Sequence, residues 1–71
     1  MKTIDACGIS CPEPLLMLKK AMQTDDDILL LVDSKNARDN CASYAEANGF
    51  KAIVNNNSDI YEIRLMVKNG I

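Results

Sequence analysis

A thiol at the start of a predicted helix is the group in this sequence best suited to chemistry. Cys11 is followed by Pro12, Glu13 and Pro14, and a leucine-rich segment comes next. Proline is favoured at the first position of a helix, because its missing N–H needs no partner there and its φ suits the turn. The sequence therefore predicts that Cys11 lies at or beside an N-cap, where unpaired N–H groups and the helix dipole favour a thiolate.

The residues next to Cys11 have opposing effects on its reactivity. Pro12 and Pro14 stiffen the first helical turn and hold the sulfur outward, whereas Glu13 brings a carboxylate close to it. A helix terminus stabilises an exposed anion by about 0.3 to 1 kcal/mol. A like charge at about 4 Å costs about 1 to 4 kcal/mol, depending on the effective dielectric constant. We therefore expect only modest activation of Cys11 by its own motif.

The composition removes several kinds of thiol chemistry. The 71 residues contain no histidine, which excludes the Cys–His pair of cysteine hydrolases and every zinc site that uses histidine. The three cysteines form no C-x-x-C pair, so we expect neither a metal site nor a cofactor. What remains for an exposed thiol is disulfide exchange, or the receipt and donation of a persulfide sulfur.

The other two cysteines are interpreted separately. Cys7 is either a passive thiol at a strand end or a resolving cysteine that closes a disulfide or relays sulfur with Cys11, since a turn separates the two. Cys41 shares a predicted helical face with Ala37 and Ala45, so we expect a small buried hydrophobic residue there.

Charged residues near the thiol also have two interpretations each. Asp5 either accepts backbone N–H groups and orients the loop, or is a solvated carboxylate at a strand edge. Lys19 and Lys20 belong to a solvated helix face, or they help to dock an acidic partner.

Hydrophobic periodicity predicts the elements that must position these groups. Ile4 and Ala6 alternate in a first strand, and the apolar run 28–32 is expected to be a central strand covered on both faces. The intervening helix begins with Pro12 near its first position and ends before Thr24. A second helix begins among the N-cap candidates of 33–36 and ends at Gly49. Segments 50–54 and 61–67 form a hairpin around the turn-rich residues 55–58. The predicted fold is a two-layer α/β sandwich of order β-α-β-α-β-β, with two helices on one face of a mixed four-stranded sheet.

Length and charge limit the number of domains and the kinds of partner that we expect. The hydrophobic content of 48% is typical of a globular chain, and 71 residues allow one domain, spanning 1–71, with one small core. A net charge of −2 disfavours nucleic acid as the main partner. The sequence shows neither signal-peptide order nor an apolar run of bilayer length, so we expect a cytoplasmic protein without membrane insertion, and a monomer.

Residues 5–14, with the sequence DACGISCPEP, resemble the D-x-x-G-x-x-C-P-x-P signature of the TusA/SirA-like sulfur carriers. The similarity extends over the whole chain, and the chain also resembles the N-terminal domain of YedF-like proteins, which are discussed in connection with selenium metabolism. The resemblance implies that Cys11 carries sulfane sulfur as a persulfide, with Asp5, Gly8, Pro12, Glu13 and Pro14 as supporting residues. It also implies a sulfurtransferase that acts with two partners, namely a cysteine desulfurase or other persulfide donor and a downstream acceptor protein.

One departure from the family pattern keeps other functions open. Cys7 stands where such proteins often have arginine, so a cation that could stabilise an anionic sulfur is replaced by a second thiol. Besides a sulfur carrier, the chain could therefore be a thiol redox or regulatory protein that uses Cys7 and Cys11, or a non-catalytic interaction module.

Overall fold

The computed structural model describes residues 2–9 and 13–68. Its six elements follow the predicted order, β-α-β-α-β-β. They are β1 (Lys2–Asp5), α1 (Glu13–Met22), β2 (Asp27–Val32), α2 (Lys35–Ala47), β3 (Phe50–Asn57) and β4 (Ile60–Val67).

The four strands form one mixed sheet in the order β1-β2-β4-β3. β1 pairs parallel to β2, while β4 pairs antiparallel to both β2 and β3. Two parallel neighbours need a crossover connection, and α1 supplies it. The predicted two-layer fold is confirmed, and β2 is central as expected.

Burial along β2 shows which face of the sheet carries the core. Ile28, Leu30 and Val32 are fully buried, whereas Leu29 and Leu31 between them are only half-buried. The expectation that this strand is covered on both faces was therefore wrong. Both helices pack on one face, and on the other face Leu29 has Arg64 as its cross-strand neighbour.

The helices present narrow apolar stripes to this core. Pro14, Leu18 and Ala21 are the buried residues of α1. In α2 the buried residues are Ala37, Cys41 and Ala45, spaced by four, as the sequence predicted. Small side chains at these positions let α2 lie close to the sheet.

The ends of α2 follow from local hydrogen bonding. Ser34 is the N-cap, and its Oγ accepts the N–H of Ala37 at 3.1 Å. At the other end Gly49 has φ 87°, a left-handed conformation that glycine adopts without strain.

The closing hairpin differs from the prediction in its turn. Asn55, Asn56 and Asn57 were assigned to the turn, but they belong to β3 and pair with Glu62, Tyr61 and Ile60. Ser58 and Asp59 make the turn, with Ser58 at φ 59°. Asparagine is tolerated here because β3 is an edge strand and these residues are exposed, so pairing with β4 decides the conformation over intrinsic propensity. In the part of the chain that the structure describes, no helix is long and apolar enough to cross a membrane.

Candidate functional site

The candidate site is the connection between β1 and α1. Residues 6–9 form its described part, and α1 begins at Glu13. Ser10, Cys11 and Pro12 lie outside the described residues, so the predicted positions of Cys11 and Pro12 stay predictions. The structure describes the segments on either side of them, residues 6–9 and the first turn of α1.

Asp5 holds the first part of this loop. Its Oδ1 accepts the N–H of Cys7 at 3.1 Å, two residues further along the chain. A short side chain that accepts a backbone N–H two residues on is typical of an Asx turn. Of the two interpretations of Asp5, this contact favours the one in which the carboxylate orients the loop.

Asp33 holds the second part of the loop, a role that its position in the sequence alone does not indicate. Its Oδ2 accepts the N–H of Gly8 at 2.7 Å, which links positions 25 residues apart in sequence. Asp33 had been considered only as an N-cap candidate of α2, but Ser34 is the cap. A signal was available, because β1 and β2 are parallel neighbours and residues just beyond their carboxyl ends meet at the same edge of the sheet.

The backbone between these two carboxylates is tightly bent. Ala6 donates its N–H to the carbonyl of Leu31 at 2.8 Å, which extends the pairing of β1 with β2, and Ile9 then donates to the carbonyl of Ala6 at 3.3 Å. Gly8 has φ 76°, which explains why glycine occupies the position. A Cβ at Gly8 would meet no atom within 4 Å, so any other residue would be disfavoured by backbone strain alone.

Cys7 is a free thiol at the centre of this turn, and it is half-buried. Burial raises the pKa of Cys7, and hydrogen bonding with Asp5 and the negative charges of Asp5 and Asp33 raise the pKa further. All of these effects disfavour the thiolate. Cys7 therefore remains a neutral thiol at physiological pH, in which form it is a poor nucleophile.

The first turn of α1 gives Glu13 and Pro14 different surroundings. Glu13 is exposed, so its carboxylate lies in solvent near the N-terminal end of the helix, where the dipole favours it. Pro14, in contrast, is buried. Burial of Pro14 ties the first turn of α1 to the core.

The remaining residues singled out by the sequence lie away from this loop. Cys41 is 0% exposed and belongs to the core, as expected. Lys19 places its Nζ 5.2 Å from the ring centroid of Tyr44, a cation–π contact on the helix surface. Among residues 2–9 and 13–68 no group of three or more cysteine, aspartate or glutamate side chains is arranged to hold a metal ion.

Comparison with known proteins places this loop in a family context. The model of the family described as Sulfurtransferase TusA matches residues 2–68. A protein of Methanocaldococcus jannaschii, named as a candidate sulfur carrier, is 33% identical over 57 residues, and the match covers 76% of each chain. The crystal structure of a SirA-like protein from Desulfitobacterium hafniense has a TM-score of 0.83 and 30% sequence identity, and the match covers 93% of this chain and 96% of that one. The chain belongs to the TusA sulfurtransferase family.

Proposed function

We propose that this protein is a sulfur carrier in which Cys11 accepts sulfane sulfur as a persulfide and passes it to a partner protein. Family membership supports a sulfur-carrier role, because the family model matches nearly the whole described chain. The name of the Methanocaldococcus jannaschii relative agrees with it. The residue assignment is argued from the thiols themselves.

The observation that supports Cys11 most strongly is that the other two cysteines are poorly suited to carry sulfur. Cys41 is fully buried in the core, where no partner protein can reach its sulfur. Cys7 is half-buried, and burial and two carboxylates raise its pKa. A sulfur carrier needs an accessible thiol that ionises, so Cys11 is the cysteine left for this role.

The proposed chemistry is two successive thiol exchanges. In the first, the Cys11 thiolate attacks the outer sulfur of a donor persulfide, the S–S bond of the donor breaks, and the donor cysteine leaves as a thiolate. In the second, an acceptor thiolate attacks the outer sulfur of the Cys11 persulfide and Cys11 leaves as a thiolate. Each step exchanges one S–S bond for another, so no external oxidant or reductant is consumed. A perselenide donor would react by the same path.

The described residues contribute rigidity more than activation. Asp5 and Asp33 fix the N–H groups of Cys7 and Gly8, and buried Pro14 fixes the turn that follows. A loop held on both sides of Cys11 loses little entropy when a partner docks. The nearby charges are negative, so the partner is expected to supply the groups that stabilise the reacting sulfur.

The test is the intact mass of the protein after incubation with a cysteine desulfurase and cysteine. We expect wild type to gain about 32 Da, one sulfur atom, and Cys11→Ser to gain nothing while keeping its fold, because serine is also a good N-cap. Cys7→Ser and Cys41→Ala are the matched controls and should still load.

Two results would contradict the proposal. Undiminished loading of Cys11→Ser would mean that another cysteine carries the sulfur. A loss of about 2 Da in wild type, with no gain of sulfur, would indicate a disulfide and favour the redox alternative.

A further inference from the structure

A groove of about 350 Å³ lies between α1 and the strand β1, away from the loop that contains Cys11. Its lining comes from alternate positions of β1 and from positions three or four apart on α1, so each element contributes a single face. These residues are Lys2 and Ile4 of β1, Met17, Lys20 and Ala21 of α1, and Thr24 just after α1.

The groove has an apolar floor and a cationic rim. Ile4 and Ala21 are buried and Met17 is half-buried, whereas Lys2 and Lys20 are exposed. Both charged residues that line the groove are lysines, although the whole chain carries a net charge of −2. Within the described ranges neither lysine is in a salt bridge, since those present are Arg38–Asp39 and Arg64–Asp27.

The two adjacent lysines of α1 therefore have different surroundings. Lys19 lies over the ring of Tyr44, towards α2. Lys20, about 100° further round the helix, lines the groove. Only Lys20 of this pair is placed to meet a ligand that enters between α1 and β1.

β1 also offers backbone groups to a ligand. In the strand order β1-β2-β4-β3 it is an edge strand, paired on one side with β2. An extended peptide that pairs with an open edge places alternate side chains on each face of the sheet. On the helix face, such side chains would enter this groove.

We propose that the groove between α1 and β1 docks an extended segment of a partner protein in which acidic residues flank one large apolar side chain. The apolar side chain packs on Met17, Ile4 and Ala21, and the carboxylates face Lys2 and Lys20. Opposite charges across an interface set the choice of partner and the register of docking.

The position of the groove relative to α1 keeps it separate from the proposed sulfur chemistry. Met17 is four residues after Glu13, so the groove begins about 6 Å along the helix axis from the start of α1 and continues away from it. A segment bound there leaves the Cys11 end of the helix uncovered. Binding involves no sulfur transfer, so its failure would leave the proposed function standing.

The experiment is an NMR titration of the ¹⁵N-labelled protein with the peptide acetyl-Glu-Val-Leu-Val-Asp-amide. We expect the amide signals of Lys2–Asp5 and of Met17–Thr24 to shift and saturate together. A peptide in which lysine replaces both acidic residues should not bind. Decanoate, an anionic amphiphile without a peptide backbone, is titrated in parallel.

Charge reversal identifies the contribution of the rim. The double variant Lys2→Glu with Lys20→Glu should weaken binding of the acidic peptide by about tenfold. The control is Lys51→Glu with Lys68→Glu, which makes the same charge change at exposed sites near the opposite edge of the sheet. Binding of the peptide to this control should be unchanged. Three results would overturn the proposal. The peptide could cause no saturable shift, it could shift only signals of other elements, or decanoate could bind while the peptide does not.

Discussion

Cys7 lies half-buried in a turn in which Asp5 accepts the N–H of Cys7 and Asp33 accepts the N–H of Gly8. A resolving cysteine has to attack as a thiolate, and the raised pKa of Cys7 makes that form scarce at neutral pH. Position 7 is therefore occupied by a side chain that stays neutral. The interpretation of Cys7 as a passive thiol is favoured over a redox role.

We predict that Cys7→Ala leaves the lifetime of the Cys11 persulfide unchanged. The variant removes a thiol that seldom ionises, so no competing attack on the persulfide is lost. The measurement is the decay of the sulfur-loaded mass at neutral pH without oxidant. A longer lifetime in the variant would identify Cys7 as a resolving cysteine.

A second residue-scale prediction concerns Asp33. Asp33→Ala removes the acceptor of the Gly8 N–H, and a lost hydrogen bond of about 1 kcal/mol should slow sulfur loading about fivefold. Asp33→Asn retains a carbonyl oxygen and should recover part of the rate. The initial rate of loading with a persulfide donor measures both.

Asp59→Ala is the control for this comparison, because it removes an exposed carboxylate from the hairpin turn. Circular dichroism verifies that each variant is folded. If Asp33→Ala loads as fast as Asp59→Ala, Asp33 has no positioning role.

The residues of the loop also show why part of the site could be predicted and part could not. Asp5 and Gly8 precede Cys11 within a short segment, so the resemblance to the family motif identified them. Asp33 lies 25 residues from Gly8, and its role depends on the parallel pairing of β1 with β2. The spacing of residues in the sequence does not reveal that pairing.

At the scale of elements, α2 offers a matched pair of serines. Ser34→Ala removes the Oγ that accepts the Ala37 N–H and should lower the free energy of unfolding by about 1 kcal/mol. Ser43→Ala changes an exposed position inside the same helix, where alanine has the higher helix propensity, and should not destabilise. Urea denaturation measures both, and equal losses would contradict the capping role of Ser34.

Strong periodicity accounts for the elements that were predicted well. The spacing of Ala37, Cys41 and Ala45 identified the buried face of α2, and the alternation of Ile63 and Leu65 identified that of β4. The asparagine run of β3 was assigned to a turn because asparagine is common in turns. Its strand conformation is set by pairing with β4, a tertiary interaction that local composition does not encode.

At the scale of the whole molecule, the sheet is unevenly supported. β2 and β4 are the central strands, whereas β3 is exposed from Ile53 to its end. Even Val54, which faces the helix layer, is 40% exposed. The hairpin therefore extends past the cover that the helices give. Backbone hydrogen bonds in such regions open more easily than those over a packed core.

We predict from this that native-state hydrogen exchange is slowest at Leu30 and Ile63 and faster at Asn55 and Asn57. The first two are buried and lie opposite each other in the central pair of strands, and the asparagines are exposed beside the turn. Amide exchange followed by NMR gives the protection of each residue. Equal protection along β3 and β4 would show that the hairpin end is as stable as the core.

The placement of β4 between β2 and β3 has a consequence for synthesis on the ribosome. β2 cannot pair on that side until residues 60–67 have left the ribosome, and its apolar residues Ile28–Val32 leave the ribosome before them. Until then the nascent chain holds an apolar strand with an unpaired edge, which is a site for association with other chains. Completion of the sheet thus requires the last described strand, and a chain truncated before it is a fragment prone to aggregate.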